Sequence, residues 1–132
     1  MGEPPSVKKY PFRDPRGEAP YNQFPAELEE DGLVFFHGTA AVNLKSILAD
    51  GFRPPDNGLK SVSSAATSDL ALNYACDWRS AASPDGCILA VKFEQLDRPG
   101  IHREPFGLHV YKFDPQPTVI GYCIVPAGYR HV

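Results

Sequence analysis

The sequence predicts a compact α+β domain, and the order of its apolar patterns is the main reason. Two helical patterns come early in the 132-residue chain, at about 40–49 and 69–80, and strand patterns dominate the remainder. Helices that alternated with strands throughout would instead indicate a parallel βαβ array. A chain of this length most often forms one domain. We therefore expect a single domain over residues 21–132, preceded by a flexible, Pro-rich arm over residues 1–20.

The first strand and the first helix meet at a histidine. The apolar run at residues 33–36 is typical of a buried strand, and His37 and Gly38 follow it directly. Leucine and isoleucine then recur at i, i+3 and i+4, which predicts a helix over about 40–49. Gly51 is well placed to end that helix.

The second helical pattern and three further strand patterns complete the domain. "LKSVSSAAT" predicts a short strand around 60–64, and Thr67 or Ser68 would cap the helix that follows. The strand patterns are "CILAVKFE", "LHVYKF" and "TVIGYCIVP", with a long loop predicted over 97–107. The apolar face expected of the second helix consists of Ala71, Tyr74, Ala75 and Trp78. We expect Trp78, like Phe35 and Phe36, to lie in the core.

Composition excludes several classes of protein. A formal net charge of -3 argues against a nucleic-acid binder that works by bulk charge. Three cysteines without zinc-site spacing predict reduced thiols and no bound metal. The N-terminus has no apolar run, so we expect no signal peptide and a cytoplasmic or nuclear protein, and no window has the apolar length of a membrane span.

The position of His37 suggests a binding site. An imidazole at the end of a strand lies at the edge of a sheet, and a glycine directly after it lets a ligand approach the backbone. The alternative is that His37 bonds the backbone before a turn and has no ligand. The tripeptide His-Gly-Thr by itself favours the histidine without a ligand.

The wider pattern resembles a known family. "FHGTAAVNLKSILADGF", followed by "SVSS" and "AATSDLALNYA", is similar to the ADP-ribosyltransferase superfamily. The closest likeness is to its His-type branch, the poly-ADP-ribose-polymerase-like and rifampin-transferase-like domains. The resemblance covers residues 34–76 well and 86–126 more loosely. It implies a split antiparallel β core with two flanking helices, with NAD as substrate and no metal.

The resemblance also implies roles for individual residues. His37 matches the histidine that bonds the ribose of NAD, and Gly38 matches the glycine whose backbone holds the nicotinamide carboxamide. Thr39 takes the place of the Ser or Thr that bonds the adenosine side. Tyr74 matches the tyrosine that stacks on the nicotinamide ring.

Two positions depart from the family pattern around the predicted NAD site. Ser63, with Ser64 beside it, falls where many His-type members keep a tyrosine, and we expect both serines to contact NAD. Ala71 stands where some polymerases use a serine to bond the carboxamide, so that hydrogen bond would be missing.

The third departure concerns the carboxylate that members of the family use to bond the ribose and activate the acceptor. The late strand offers Gly121 at that position. Asp97, after the central strand, and Glu104, in the predicted loop, are the substitutes that we rank first and second. Gln116 could position a ribose but could not act as a base.

The resemblance predicts transfer of ADP-ribose from NAD to an unknown acceptor, which could be a protein, a nucleic acid or a small molecule. The alternatives are an NAD glycohydrolase, an RNA 2'-phosphotransferase-like enzyme, and a catalytically dead NAD- or ADP-ribose-binding module, which Gly121 would favour. His102, Arg103 and His109 could contact a phosphate, or they could be ordinary exposed residues.

Overall fold

A computed structural model describes residues 7–13, 22–53, 61–113 and 115–129. Seven strands and three α-helices make up the described chain, and a short 3-10 turn, Ala41–Asn43, precedes the second helix. The strands are β1 Lys8–Tyr10, β2 Val34–Ala40, β3 Val62–Ala65, β4 Gly86–Lys92, β5 Ile101–Glu104, β6 Gly107–Val110 and β7 Thr118–Val125. The helices are α1 Ala26–Glu29, α2 Leu44–Asp50 and α3 Ser68–Asp77.

All seven strands belong to one sheet, in the order β1-β7-β4-β2-β3-β6-β5. Neighbours are antiparallel, except that β1 runs parallel to β7. A mainly antiparallel sheet with few helices confirms the α+β class. No helix among the described residues is long and apolar enough to cross a bilayer.

The two faces of the sheet bury different clusters because alternate residues of a strand point to opposite sides. Phe36 and Ile88 pack with Ala71 and Leu72 of α3 on one face. Phe35 belongs to a second cluster on the other face, where α2 contributes partly buried side chains. Phe35 and Phe36 are therefore both core residues, as predicted.

Helix α3 lies unusually close to the sheet. A Cβ atom at Gly38 would lie 2.2 Å from the carbonyl oxygen of Ala71, and one at Gly86 would lie 2.4 Å from that of Ala75. Only glycine fits at these two points of β2 and β4. The close approach fixes the position of α3 over the sheet.

β2 pairs over different lengths with its two neighbours, β4 and β3, and this difference leaves an opening between β2 and β3. β2 pairs with β4 along its whole length, from Val34 to Ala40. Its ladder to β3 has a single registered pair, Phe36 with Ala65. The two strands therefore part at the position of His37 and Gly38.

Three segments differ from the sequence-based expectation. The strand predicted to end before His37 continues through it to Ala40, and α2 begins only at Leu44, not at about residue 40. Within the arm predicted to be flexible, residues 8–10 form β1, which pairs with β7; residues 1–6 and 14–20 of that arm lie outside the described residues. The loop predicted over 97–107 contains β5 and the turn of a β5–β6 hairpin.

The start of α3 is held by a side chain from α1. Glu29 accepts hydrogen bonds from the backbone N–H of Ser68 (3.1 Å) and from its hydroxyl (2.5 Å). Thr67 is the N-cap residue, as expected, but its side chain makes no capping hydrogen bond. A carboxylate at this helix end satisfies a free N–H group and complements the helix dipole.

Candidate functional site

Two clefts open beside the point where β2 and β3 part. The first, the β2–β3 cleft, has a volume of about 510 Å³ and is lined by residues of β2, α2, β3 and α3 and by Phe52 and Arg53. The second, the hairpin cleft, has a volume of about 770 Å³ and lies between α3 and the β5–β6 hairpin. Ser63 and Tyr74 line both clefts, so the two are adjacent.

His37 lies in the middle of β2 and not at the end of a strand as expected, at the point where β2 and β3 separate. Its Nδ1 lies 2.8 Å from the backbone carbonyl oxygen of Ser63, which can only accept, so Nδ1 carries the proton. Burial lowers the pKa of His37, while the Ser63 carbonyl acts in the opposite direction. The neutral ring stands edge-on to Phe52, with centroids 5.3 Å apart. Nε2 therefore keeps a lone pair that can accept a hydrogen bond in the β2–β3 cleft.

Gly38 offers its backbone to the same cleft. The N–H of Phe93 bonds the carbonyl of Leu33, so the odd-numbered residues of β2 direct their backbone groups to β4. Gly38 therefore directs its N–H and C=O to the β3 side, where the ladder has ended. We expected the lack of a side chain at Gly38 to let a ligand approach the backbone, and the structure differs. The absent Cβ makes room for α3 and not for a ligand.

Tyr74 and Trp78 present two rings on the outer edge of α3. They are 52% and 62% exposed, and both line the β2–β3 cleft. The prediction that Trp78 lies in the core is wrong, because Ala71 and Ala75 take the side of the helix that faces Gly38 and Gly86. The i, i+4 spacing from Tyr74 was the sequence signal that could have placed Trp78 at the site.

The remaining predicted NAD contacts lie around the same opening. Thr39 is buried, and its hydroxyl accepts a hydrogen bond from the side-chain amide of Asn43 (2.9 Å). Ser63 is exposed between the two clefts, and Ser64 is buried at the wall of the hairpin cleft. His37 and Tyr74 belong to opposite faces of the sheet, and the gap between β2 and β3 brings both to one cleft.

The two predicted acids, Glu104 and Asp97, lie in different places relative to the clefts. Glu104, at the end of β5, lines the hairpin cleft. Its carboxylate lies 3.2 Å from Nε2 of His102 and 4.0 Å from Nε2 of His109. Asp97 is exposed in the segment after β4 and lines neither cleft. Of the two, only Glu104 is brought near Tyr74, and the catalytic roles of both stay predictions.

The other two positions considered for the missing carboxylate, Gln116 and Gly121, make contacts away from the two clefts. The amide of Gln116 is engaged with the backbone of Phe52, accepting from its N–H (3.0 Å) and donating to its carbonyl (2.9 Å). Gly121 lies on β7, beyond β4, and a Cβ there would meet the ring of Tyr10 at 2.6 Å. Gly121 lines neither cleft, and its match to the carboxylate position of the family stays a prediction.

Comparisons of the chain with protein-family models, with curated proteins and with solved structures found no match. The assignment to the ADP-ribosyltransferase superfamily thus remains a prediction from the sequence motifs. Within the described ranges, no group of three or more His, Cys, Asp or Glu side chains is placed to hold a metal ion.

Proposed function

We propose that this chain binds NAD in the β2–β3 cleft and transfers its ADP-ribose to an acceptor, with release of nicotinamide. One observation carries the proposal. The strands part at His37 and Gly38, so an imidazole, the backbone of Gly38 and the ring of Tyr74 surround one cleft. Its volume of about 510 Å³ lies within the range of small-molecule sites, roughly 300–1,000 Å³.

The groups around the cleft are complementary to the nicotinamide riboside half of NAD. A carboxamide has one acceptor and one NH₂ donor, which match the N–H and the C=O of Gly38. A positively charged pyridinium ring is attracted to the face of an aromatic ring, which Tyr74 supplies. The lone pair on Nε2 of His37 can accept a hydrogen bond from a ribose hydroxyl.

The chemistry needs few functional groups from the protein. The bond between nicotinamide and ribose breaks through an oxocarbenium-like state, as in glycoside hydrolysis. The protein accelerates this step by holding the ring and the sugar in position and by placing negative charge near the developing cation. Glu104 and Asp77 both line the adjoining cleft, and we assign the second task to Glu104, the acid that the sequence also suggested.

Two variants and one control test the assignment of the cleft. Tyr74→Ala should weaken NAD binding by roughly 5- to 150-fold, since stacking on an aromatic side chain is worth about 1–3 kcal/mol. His37→Ala should lower nicotinamide release by removing the ribose contact. Tyr111→Ala is the matched control, because Tyr111 is equally an exposed tyrosine but lines neither cleft. Calorimetry with NAD and chromatography of released nicotinamide give the two readouts.

NAD labelled in its adenylate half separates the alternatives. Label on a partner together with free nicotinamide indicates transfer, free nicotinamide without such a product indicates glycohydrolysis, and binding without release indicates a binding module. NAD affinity unchanged by Tyr74→Ala, or lowered as much by Tyr111→Ala, would show that NAD does not bind here. The 2'-phosphotransferase alternative lacks support, since Arg53 is the one arginine among the described residues that line the two clefts.

A further inference from the structure

We propose that His109 is a catalytic residue of this site, and that it takes the proton from the acceptor as the acceptor attacks the ribose. The inference rests on the proposed function and deepens it. His109 lies on β6 directly opposite Ser63 of β3, and it lines the hairpin cleft. That cleft adjoins the β2–β3 cleft at Ser63 and Tyr74, so an acceptor in it would approach the ribose from the side of His109.

The register of three strands places His109 on the correct face of the sheet. Ser63, His109 and His102 are cross-strand partners on β3, β6 and β5. Side chains of directly paired residues lie on the same face. Ala65, two residues after Ser63, packs in the cluster beneath α3, so this row also faces α3. The hairpin cleft lies between that face and the Asn73, Tyr74 and Asp77 side of the helix.

The contacts of the His109 ring leave one nitrogen for the acceptor. Nδ1 lies 2.9 Å from the hydroxyl oxygen of Ser61 and 3.1 Å from that of Ser63. A serine hydroxyl can donate or accept, so both tautomers fit these contacts, and in the tautomer with the proton on Nδ1 the Nε2 atom keeps its lone pair. The nearest carboxylate oxygen of Glu104, at 4.0 Å from Nε2, is beyond hydrogen-bond distance. The side chain is 38% exposed, so Nε2 can be reached from the cleft.

Among the charged and titratable groups around His109, the carboxylates suit the form that proton transfer creates. Glu104 and His102 face it from β5, and Asp77 of α3 lines the same cleft. A carboxylate a few ångströms away stabilises an imidazolium. Ser61 and Ser63 hold the ring by Nδ1, as the third group of a nucleophile–base–orienter set does.

The step balances without any further reagent. A lone pair of the acceptor atom X forms a bond to C1' of the ribose while the bond from C1' to the nicotinamide nitrogen breaks. The electron pair of that bond neutralises the pyridinium ring, and nicotinamide leaves. The proton of X–H moves to Nε2 of His109 and then to solvent. The sum is NAD plus X–H giving ADP-ribosyl-X, nicotinamide and a proton, and water serves as X in hydrolysis.

The test compares His109→Gln with His102→Gln in the full chain. His102 is the cross-strand partner of His109 and contacts the same Glu104, but it lines neither cleft. Nicotinamide release from NAD, with water as acceptor, is followed over a range of pH. His109→Gln should lower kcat by about 100-fold, which is within the usual range for a general base, about 10²–10⁴. The KM for NAD and the melting temperature should stay near the wild-type values.

Chemical rescue separates a proton-transfer role from a structural one. Added imidazole should restore part of the activity of His109→Ala, and the rescued rate should rise with pH because only neutral imidazole accepts a proton. His102→Gln should keep kcat within about threefold of wild type and the wild-type pH profile.

Several outcomes would overturn the assignment. These are a wild-type kcat and pH profile in His109→Gln, an equal loss in His102→Gln, a loss confined to KM, and absence of rescue by imidazole. If the wild-type chain cleaves NAD while His109→Gln is fully active, only His109 is excluded and the proposed function stands. If the wild-type chain neither binds nor cleaves NAD, the proposed function fails and the role of His109 fails with it.

Discussion

Replacing Gly38 by alanine tests how closely α3 packs on β2, and the structure sets the size of the effect. The new Cβ would lie 2.2 Å from the carbonyl oxygen of Ala71, 2.8 Å from the amide nitrogen of Ala75 and 2.9 Å from the Cβ of Tyr74. The first two are backbone atoms, so no side-chain rotation relieves the contact. A normal separation of roughly 3.5 Å would require the helix to retreat by about 1 Å.

Moving α3 away from the sheet loosens the packing of its buried face and displaces Tyr74 at the cleft. Overpacking of a core costs about 1–3 kcal/mol, and the unyielding backbone atoms place Gly38→Ala at the upper end, near ~3 kcal/mol. In a domain of this size that corresponds to a fall in melting temperature of roughly 10 °C. NAD affinity should fall as well, because Tyr74 moves relative to His37.

Urea denaturation followed by far-UV circular dichroism measures the loss, and Gly32→Ala is the matched control. A Cβ at Gly32 meets nothing within 4 Å, and its φ is not positive. Gly32→Ala should therefore be neutral or stabilising by up to about 1 kcal/mol. The reasoning is refuted if the two variants have free energies of unfolding within about 0.5 kcal/mol of each other with equal m-values.

Two further predictions concern stability. Gln116→Ala removes two hydrogen bonds to the backbone of Phe52, so the free energy of unfolding, measured by urea denaturation, should fall by about 2 kcal/mol. The control variant Gln95→Ala, at an exposed position, should change it little. Equal losses in the two variants would contradict this role of Gln116. Burial raises the pKa of Glu29 above its ordinary value of 4.5, against the opposing effect of its bonds from Ser68. Glu29 therefore stays protonated to higher pH in the folded state than in the unfolded chain. Its contribution to the free energy of unfolding is fully present below pH 4.5 and falls as the pH rises through the pKa of the folded state. The free energy of unfolding of wild type minus that of Glu29→Gln should therefore decrease from pH 4 to pH 7, and an increase would show that the hydrogen bonds outweigh burial.

Local patterns predicted the parts of the fold that depend on neighbours along the chain. The buried strand that leads into His37 and the helix bearing Tyr74 are both present, at Val34–Ala40 and Ser68–Asp77, although the strand continues past His37. Their periodicity follows from burial of one side, which the residues themselves encode. The same motifs identified His37 and Tyr74, and both line one cleft.

The errors came from contacts between residues distant along the chain. Gly121 was matched to the carboxylate of the family because its strand comes late in the sequence; strand order puts β7 beyond β4, and that match stays a prediction. Trp78 was placed in the core because periodicity shows which residues share a side of a helix, but not how wide the buried strip is. That width depends on how closely Gly38 and Gly86 let α3 approach. No local pattern carries this information.

The separation of β2 from β3 and the chemistry of His37 have the same cause. If the register of Phe36 with Ala65 continued, Gly38 would pair with Ser63, and its N–H would donate to the Ser63 carbonyl. Instead Nδ1 of His37 donates to that carbonyl at 2.8 Å. The imidazole therefore replaces a backbone donor, and this satisfies Ser63 while β2 and β3 stay apart. The same bond fixes the tautomer that leaves Nε2 as an acceptor. It also leaves the N–H of Gly38 directed into the cleft, where a buried donor without a partner costs about 1–3 kcal/mol. A ligand with a carbonyl oxygen at that point removes this cost, which is why a carboxamide suits the opening that His37 creates.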